Sequence, residues 1–377
     1  MQKNLLASVC LLLLGCCYIS SAIAQSAAIN IVTTAVPFLR ISPDARSGGM
    51  GDAGIALSPD ANAGFWDLGK IPFSTTTDAI GVTYTPWLKD IAQDVYMITL
   101  AGYHKLDEDQ AFSGGIRYFN LGQIQFTDAF GSPLNTGRPH EFALDLGYSR
   151  KISDALGIGV ALRYINSSLA NGVATNGVTY KAGNTFAADL SLYGDNTSDD
   201  GSGLTYGLTL SNLGGKIGYT DNAATKDYIP ANMGAGLAYT WAFQEEHKVT
   251  LSLDVNKLLV PAFPTFTGDT AIDNQAIDDY HTQSVFSSWF KSFSASTYSV
   301  SLGGEYTYND QFSLRAGYYK ETKEMGNRSY FTAGVGMKYQ IFNFNFSYLA
   351  PSGNGVTRNP LSNTLRFGVL FDLAPQQ

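Results

Sequence analysis

The sequence predicts an all-β protein, a transmembrane antiparallel β-barrel of about 14 strands with an N-terminal plug in its lumen. The 377 residues include 39 Gly, 22 Tyr and 22 Phe but are only 15% charged. This composition favours strands and turns over helices. From Asp78 onward, most segments alternate apolar and polar residues, and period two is the pattern of a β-strand. The connections between these segments alternate between short and long, which is typical of barrels that span a bacterial outer membrane.

The first residues have the pattern of a secretory signal peptide. Lys3 precedes the apolar run 5–14, and Ala22-Ile23-Ala24 is a small-residue cleavage site, so we expect residues 1–24 to be removed. A lipoprotein-like motif, Leu13-Leu14-Gly15-Cys16, is the competing interpretation. Cleavage after Ala24 removes every cysteine (Cys10, Cys16 and Cys17) and changes the formal net charge from −8 to −9. A mature chain of this kind has no thiol chemistry and does not favour nucleic acid as a partner.

Residues 25–77 lack sustained alternation and contain many turn formers, which predicts a compact plug with at most one or two short helical turns. We expect this periplasmic and luminal plug to enter the barrel from the periplasmic end. Gly49-x-Gly51-x-x-Gly54 matches the dinucleotide-binding fingerprint literally. However, no parallel βαβ unit follows it, and such a motif alone is weak evidence. We expect these glycines to let the plug backbone approach a wall closely.

Alternation predicts the barrel over residues 78–373. Phe142, Leu144, Leu146 and Tyr148, for example, alternate with small or polar residues. The predicted strands span residues 78–87, 94–105, 110–127, 138–151, 155–166, 182–194, 203–214, 230–243, 247–260, 296–308, 311–320, 329–340, 342–350 and 363–373. No run after the N-terminus is long enough for a membrane helix, so a spanning chain of this composition must be a barrel.

Connection lengths assign the two ends of the barrel. The turns after even-numbered strands are mostly one to six residues, such as 106–109, whereas those after odd-numbered strands are mostly longer, up to the loop 261–295. In outer-membrane barrels the short turns are periplasmic and the long loops are extracellular.

A soluble β-sandwich is the alternative fold. Aromatic residues near the strand ends favour the membrane barrel, because they suit the two membrane interfaces. They include Tyr84, Trp87, Tyr118, Tyr164, Tyr239, Trp241, Tyr306, Tyr308, Tyr318 and Tyr339.

The last strand supports a closed barrel. Leu365, Phe367, Val369, Phe371 and Leu373 share one face, and Leu370 is the single apolar residue on the opposite, polar face. An unpaired edge so near the terminus needs a covering strand, which barrel closure supplies. The spacing Arg366-x-Gly368-x-x-Phe371-x-Leu373 also resembles the C-terminal signal by which bacterial outer-membrane barrels are recognised for insertion.

Charged residues on the predicted inward face are expected to form a solvated polar wall, with pairing to a plug as the alternative. They are Arg117, Asp145, Arg163, Asp189, Asp254, Glu305, Arg315, Lys338, Arg366 and Asp372. His104, His140, His247 and His281 share no metal-ligand spacing, and the chain lacks nucleophile-elbow, HExxH and P-loop motifs. We therefore predict no enzyme activity, no metal and no cofactor.

The longest loop carries the candidate partner-binding residues. Pro261-Ala-Phe263-Pro264-Thr-Phe266 is followed by an acidic stretch and then by Phe286, Trp289 and Phe290, spaced for one face of a short helix. These aromatic residues either pack on the barrel rim or form a partner surface. We predict docking through Phe263, Phe266, Phe286, Trp289 and Phe290.

The stretches Ala35–Gly54 and Ser58–Asn62 resemble the N-terminal region of the PorV (LptO) family. These are FadL-like outer-membrane barrels of the type IX secretion system of Bacteroidetes. Where many relatives carry Asn-Pro-Ala-Lys, this chain has Asp67-Leu-Gly-Lys70. The plug residues expected to matter are Pro37, Phe38, Gly48, Gly49, Gly51 and Gly54.

The resemblance implies a non-enzymatic role in protein transport. Proteins of this family associate with the translocon barrel, bind the C-terminal signal domain of cargo, and pass it to the sortase complex that attaches it at the cell surface. The implied partners are thus these proteins and outer-membrane lipid. A FadL-like transporter of hydrophobic small molecules is the main alternative. An enzyme acting on lipopolysaccharide is the other, and the absence of a nucleophile motif weakens it.

Overall fold

The computed structural model describes residues 31–87, 94–127, 130–175, 177–221, 225–244, 246–350 and 363–375. The predicted signal peptide, the three cysteines and residues 25–30 of the predicted plug lie outside these residues. Within them, no helix is long and apolar enough to cross a membrane.

Fourteen antiparallel strands form a closed barrel, each paired with its neighbours in chain order. The barrel closes where the first and last strands pair, with Val82 opposite Val369. The barrel strands are β1 (Thr76–Pro86), β2 (Val95–Lys105), β3 (Gln110–Leu121), β6 (His140–Ser153), β7 (Leu156–Ser168), β10 (Gly183–Thr197), β11 (Gly203–Gly214), β12 (Asn232–Phe243), β13 (His247–Leu258), β14 (Tyr298–Tyr308), β15 (Phe312–Glu321), β16 (Ser329–Tyr339), β17 (Phe342–Ala350) and β18 (Leu365–Pro375).

All fourteen predicted strands are present, and the predicted fold is confirmed. The third differs at its end, because β3 stops at Leu121 and Gly122 follows with φ of +79°. The residues beyond it form a loop hairpin of β4 (Ile124–Thr127) and β5 (Pro133–Gly137). A second loop hairpin pairs β8 (Ala174–Thr175) with β9 (Val178–Thr179). Sequence alternation therefore identified the strands but merged β3 with a loop.

Burial alternates along the strands in the opposite sense to that of a soluble protein. Large apolar side chains such as Leu146 and Leu162, 74% and 70% exposed, lie on the outer face. Thr83, Thr99 and Asp254, on the inner face, are buried. Because exposed apolar surface of this extent suits lipid and not water, the barrel wall is built to lie in a membrane.

Trp87 is an exception to the predicted aromatic girdle. Its side chain is 7% exposed and packs against Phe119 and Met97, within an apolar layer that also contains Phe38. Five other girdle residues are exposed as expected: Tyr84, Tyr239, Trp241, Tyr308 and Tyr339. The girdle interpretation of Trp87 is therefore wrong, because this residue directly follows β1 and its side chain lies on the inward side.

Residues 31–75, here called the luminal segment, contact the inner face of the barrel. They contain four short helical elements, more than the one or two turns predicted. These are a 3₁₀ helix at Pro37–Arg40, α1 (Ala45–Gly49), α2 (Ala63–Trp66) and a second 3₁₀ helix at Leu68–Phe73. Local caps explain them, since Asp44 accepts a hydrogen bond from Ser47 N and Asp67 accepts one from Gly69 N.

The luminal segment runs between the two ends of the barrel. Val32 packs beside Tyr228 and Met325, which lie in long connections. Ser58 and Asp60 line a cavity with Lys248 and Asp310, which lie beside short turns. The N-terminal end of the segment thus lies at the long-loop end of the barrel, and its middle reaches the short-turn end. This differs from the predicted entry at the end with short turns, because the start of the segment packs and hydrogen-bonds among the long connections.

The longest connection contains two helices, α3 (Thr270–Thr282) and α4 (Val285–Lys291), followed by a 3₁₀ turn at Ser292–Ser294. The aromatic spacing predicted α4. The acidic stretch was not predicted to be helical, yet α3 begins there because Asp269 caps the amides of Ala271 and Ile272. A further 3₁₀ turn, Lys323–Met325, lies in the connection between β15 and β16.

Candidate functional site

An ion-paired chain joins α1 to the barrel wall. Arg46 Nη2 donates to Glu305 Oε1 at 2.9 Å, and Arg315 Nε donates to Glu305 Oε2 at 2.5 Å. Arg315 Nη1 also donates to Asn345 at 2.7 Å. The side chains of Glu305 and Arg315 are 7% and 4% exposed. Each buried charge therefore has a partner of opposite charge, as burial requires.

A second charged group binds the backbone of the luminal segment at Gly54. The carboxylate of Asp254 accepts hydrogen bonds from Gly54 N and Ile55 N, at 2.7 and 2.9 Å. Lys70 Nζ donates to Gly54 O at 2.6 Å. Burial lowers the pKa of Lys70 and raises the pKa of the nearby Asp67 to about 7. Asp67, Lys70 and Asp254 are all at most 2% exposed, so this part of the lumen shields charged groups from water.

Wall threonines bind further backbone groups of the luminal segment. Thr332 Oγ1 accepts a hydrogen bond from Gly51 N and donates one to Gly49 O, at 2.8 and 3.0 Å. Thr205 donates to Ala56 O at 2.7 Å, and Thr99 donates to Pro43 O at the same distance. These bonds satisfy backbone groups that have no partner in a strand or helix.

The wall also contains a charge network of its own. Arg163 pairs with Asp145 and, at 2.9 Å, with Asp189. Arg117 donates to Leu39 O at 3.2 Å. The expectation of a solvated wall is therefore wrong for most of the inward charges, which are buried and paired. Lys338 and Asp372, near the short-turn end, pair at 2.6 Å and stay partly exposed.

The predicted plug residues are in close contact with the wall. A Cβ atom at Gly51, where φ is +70°, would lie 2.6 Å from Tyr318 N, and one at Gly49 would lie 3.1 Å from Gly334 Cα. A Cβ at Gly48 would meet the guanidinium of Arg366, and one at Gly54 would meet the ring of Trp66. Pro37 begins the first 3₁₀ helix. At Gly49 and Gly51, only glycine lets the backbone of the luminal segment lie directly against the backbone of the wall. This is the role that the sequence predicted for these glycines in place of dinucleotide binding.

Leu370, the apparent misfit of the last strand, also contacts the luminal segment. It is 2% exposed and belongs to an apolar cluster with Ala61, Ala63 and Ile71. An apolar residue on the inward face is explained by a partner in the lumen. Leu370 was therefore a sequence clue to a filled barrel that alternation alone treated as an error.

Two lysines fasten the longest connection to the barrel, and the sequence did not single them out. Lys216 Nζ donates to the carbonyls of His281, Gln283 and Tyr280 at 2.7, 2.9 and 3.3 Å. Lys257 Nζ donates to the carbonyls of Ser292 and Ala295 at 2.8 and 3.0 Å. Both groups bind near the C-terminal ends of helical elements, where carbonyl oxygens are unpaired. The helices are thus held in place at the barrel mouth.

The helix α4 exposes its two phenylalanines, whereas serines on it and directly after it are buried. Ser288 and Ser292, which follows the helix, are fully buried, whereas Phe286 and Phe290 are 66% and 65% exposed. The two phenylalanine rings are 5.2 Å apart, and Trp289, partly buried, packs against Phe286. This arrangement reverses the usual amphipathic pattern, so folding of the loop does not account for these phenylalanines.

The other two predicted partner-binding residues differ from each other. Phe263 is partly buried and packs against Tyr280 on α3, with ring centroids 5.1 Å apart. Phe266 is 68% exposed and touches Phe263 at a centroid distance of 6.2 Å. Phe263 contributes to the rim, whereas Phe266 remains free to extend an exposed surface. We call Phe266, Phe286 and Phe290 the exposed loop aromatics.

These features define a class: a bacterial outer-membrane β-barrel whose lumen holds a segment of its own chain. The chain belongs to the PorV family, since the model described as "Type IX secretion system protein PorV" matches residues 24–265, more than half of its length. It is accordingly an outer-membrane component of type IX secretion.

Solved structures support the same fold. The toluene transporter TodX of P. putida has 12% identity and a TM-score of 0.52, covering 88% of this chain and 99% of its own. The CymD monoaromatic hydrocarbon channel also has 12% identity and a TM-score of 0.52, covering 92% and 99%. A Pseudomonas aeruginosa FadL homologue is also similar, with 12% identity and coverage of 92% and 100%, but its TM-score of 0.47 is too low to support the fold assignment. Among curated proteins, none matches this chain.

Proposed function

We propose that this protein binds the C-terminal signal domain of type IX cargo and carries it from the translocon to the cell-surface attachment complex. The observation that carries the proposal is the reversed amphipathic helix α4, which displays Phe286 and Phe290 while burying serines. Exposed aromatic residues on a fixed scaffold are the usual energetic centre of a protein interface. Membership of the PorV family supplies the secretion context.

The setting of the exposed loop aromatics supports a protein partner. Lys216 and Lys257 hold the helices by several carbonyl contacts each, so binding needs little additional ordering of the loop. Asp273, Asp278 and Asp279 place acidic groups on α3, the helix that lies between Phe266 and α4 in the chain. Such groups favour a partner with basic residues around an apolar centre.

We further propose that the long loops face the cell exterior and that the luminal segment closes the barrel. The long loops lie at one end and the short turns at the other, the arrangement usual for outer-membrane barrels. Buried ion pairs and backbone hydrogen bonds along the luminal segment support closure. In this orientation, the exposed loop aromatics face cargo that has already crossed the membrane.

The transporter alternative is less well supported. The cavity at the short-turn end, about 510 Å³, is lined by charged groups that include Arg46, Glu305 and Lys338. A site for a hydrophobic small molecule requires mainly apolar lining. At 12% identity, the similarity to the hydrocarbon transporters supports a shared fold but not a shared substrate.

The test is direct binding of purified cargo, with and without its C-terminal signal domain, to the intact barrel. Phe286→Ala combined with Phe290→Ala is the informative variant, because both side chains are mostly exposed and their loss removes little buried surface. We expect about a thirtyfold loss of affinity, corresponding to roughly 2 kcal/mol. Trp289 is avoided, since it is partly buried.

Phe130→Ala is the matched control, since this phenylalanine is 94% exposed on a different long loop. It should leave affinity unchanged. Equal binding by the double variant, or equal binding of cargo lacking its signal domain, would reject the assignment.

A further inference from the structure

A cavity of about 140 Å³ lies inside the barrel, between residues 39–43 of the luminal segment and the wall. Its charged lining consists of four arginines, Arg40, Arg117, Arg328 and Arg366, and one carboxylate, Asp52. At roughly 30 Å³ per water molecule, the space would hold about five waters. It is therefore large enough for a small polyatomic anion and too small for a lipid chain.

Arg366 is the least satisfied of these arginines. It is 1% exposed, and its closest acidic contact is a 3.5 Å approach of Nη2 to Asp52 Oδ1. Among the residues that the structure describes, its Nε and Nη1 atoms have no hydrogen-bond partner. A buried guanidinium with two unused donors carries a large desolvation cost, which an anion in the cavity would offset.

The neighbouring arginines are better paired. Arg328 Nε donates to Glu321 at 2.8 Å, and Arg40 lies 3.5 Å from the same carboxylate. Their side chains are 29% and 20% exposed, whereas that of Arg366 is 1% exposed. Positive charge thus continues from a partly open region near the long loops to the buried Arg366, a direction of entry suited to an anion.

Asp52 does not neutralise Arg366 fully. Its Oδ2 atom accepts a hydrogen bond from Tyr330 at 2.5 Å, and its Oδ1 atom has no hydrogen-bond partner among the described residues. The 3.5 Å distance between Arg366 Nη2 and Asp52 Oδ1 is too long for the bidentate pairing that carboxylates usually make with arginine.

We propose that this cavity is a binding site for a small oxyanion of the carboxylate or phosphate class, with Arg366 as its main ligand. Gly48 belongs to the site because a Cβ atom there would lie 2.7 Å from Arg366 Nη1 and would displace the guanidinium. The glycine-rich part of the luminal segment therefore shapes the position of the ligand-binding arginine.

The test is isothermal titration of the intact purified chain with inorganic phosphate and, separately, with acetate, at constant ionic strength. Saturable binding of either anion is expected, and the stronger of the two identifies whether phosphate or carboxylate is preferred. Absence of saturable binding for both anions would overturn the proposal, because the unused donors would then be satisfied by water alone.

Two variants separate a binding role from a structural one. Arg366→Gln should weaken binding at least tenfold. Asp52→Asn should strengthen it several-fold, since it removes the competing negative charge, and asparagine suits the φ of 60° at that position. Lys338→Gln, at the short-turn end, is the control and should have no effect. If Arg366→Gln fails to fold, unchanged or weaker binding by Asp52→Asn still rejects the site.

Discussion

The luminal segment and the longest connection are both non-barrel structure, but they are held in opposite ways. The luminal segment uses its charged side chains to bind wall charges, as Arg46 does with Glu305, and leaves few large side chains exposed. In the longest connection, lysines outside the α3–α4 region bind backbone carbonyls, and aromatic side chains of α4 remain exposed. The first region uses its polar groups in internal contacts, whereas the second leaves apolar side chains exposed.

This difference suggests a division of roles within the chain. A segment fixed by buried ion pairs is costly to move, because separation leaves charges without partners in a poorly solvated lumen. A loop anchored at its backbone can keep its position while its exposed side chains exchange partners. Variants that disturb each region separately can therefore test whether the two regions have different roles.

The largest effect is expected from Gly51→Val. Gly51 has φ of +70° and a Cβ would lie 2.6 Å from Tyr318 N, so the variant combines backbone strain with a clash against the wall. We expect the luminal segment to leave its position and the barrel to conduct ions in planar bilayers. Gly131→Val is the control, since φ there is +81° but nothing lies within 4 Å. Equal conductance of both variants would argue against closure by the luminal segment.

The next largest effect is expected from Glu305→Gln, which leaves Arg46 and Arg315 without their shared carboxylate. Breaking a buried ion pair by removing one partner typically costs about 3–5 kcal/mol. The thermal transition of the folded barrel, followed by its heat-dependent gel mobility, should fall accordingly. Asp372→Asn removes a carboxylate from the partly exposed pair with Lys338 and should cost less than about 1 kcal/mol. Similar costs for the two variants would contradict a dry, ion-paired lumen.

A smaller effect concerns pH. Burial raises the pKa of Asp67 to about 7, so the folded chain holds a proton that the unfolded chain releases near pH 4. Stability contributed by this group is full below pH 4 and falls as pH rises to about 7. A pKa unit corresponds to about 1.4 kcal/mol, which sets the scale at a few kcal/mol.

Asp67→Asn should retain the cap on Gly69 N while removing this pH dependence. The difference in transition temperature between variant and parent should grow from pH 5 to pH 8. Asp273→Asn is the control, because hydrogen bonds from Thr267 lower the pKa of that exposed carboxyl, which stays ionised across this range. A pH-independent difference for Asp67→Asn would show that the Asp67 carboxyl titrates normally.

The sequence pattern predicted the barrel better than it predicted the luminal segment. Period-two alternation identified all fourteen barrel strands, because each strand repeats the same contrast between lipid and lumen. The glycines at 49 and 51 were correctly expected to permit close backbone approach. The short helices of the luminal segment were underestimated because elements of four to six residues carry little periodicity.

Contacts between distant residues were not predictable from local pattern. Arg46 and Glu305 are 259 residues apart. A charged residue on the inward face indicates that this face is polar, but it does not indicate which distant residue forms the ion pair. Trp87 and Leu370 were misjudged because the lumen, being filled, supplies apolar surroundings that a solvated barrel lacks. Lys216 and Lys257 bind backbone carbonyls, which leave no residue-type pattern in the sequence.

The smallest effect is expected at the loop anchor, from Lys216→Met. The variant removes three hydrogen bonds to the carbonyls that end α3, while methionine retains much of the apolar stem. Because a typical hydrogen bond contributes about 1 kcal/mol, local stability should fall by roughly 1–3 kcal/mol. Hydrogen exchange should accelerate for the amides of 274–283 and stay unchanged in the barrel strands. Lys226→Met changes an exposed lysine in the connection between β11 and β12, which also contains Lys216, and should leave exchange unaltered.

If cargo affinity falls with Lys216→Met while the exposed loop aromatics are intact, then the fixed position of the aromatic residues contributes to binding. Faster exchange in the barrel as well would instead show that loop and barrel unfold as one unit, and the separation between the two regions would not hold.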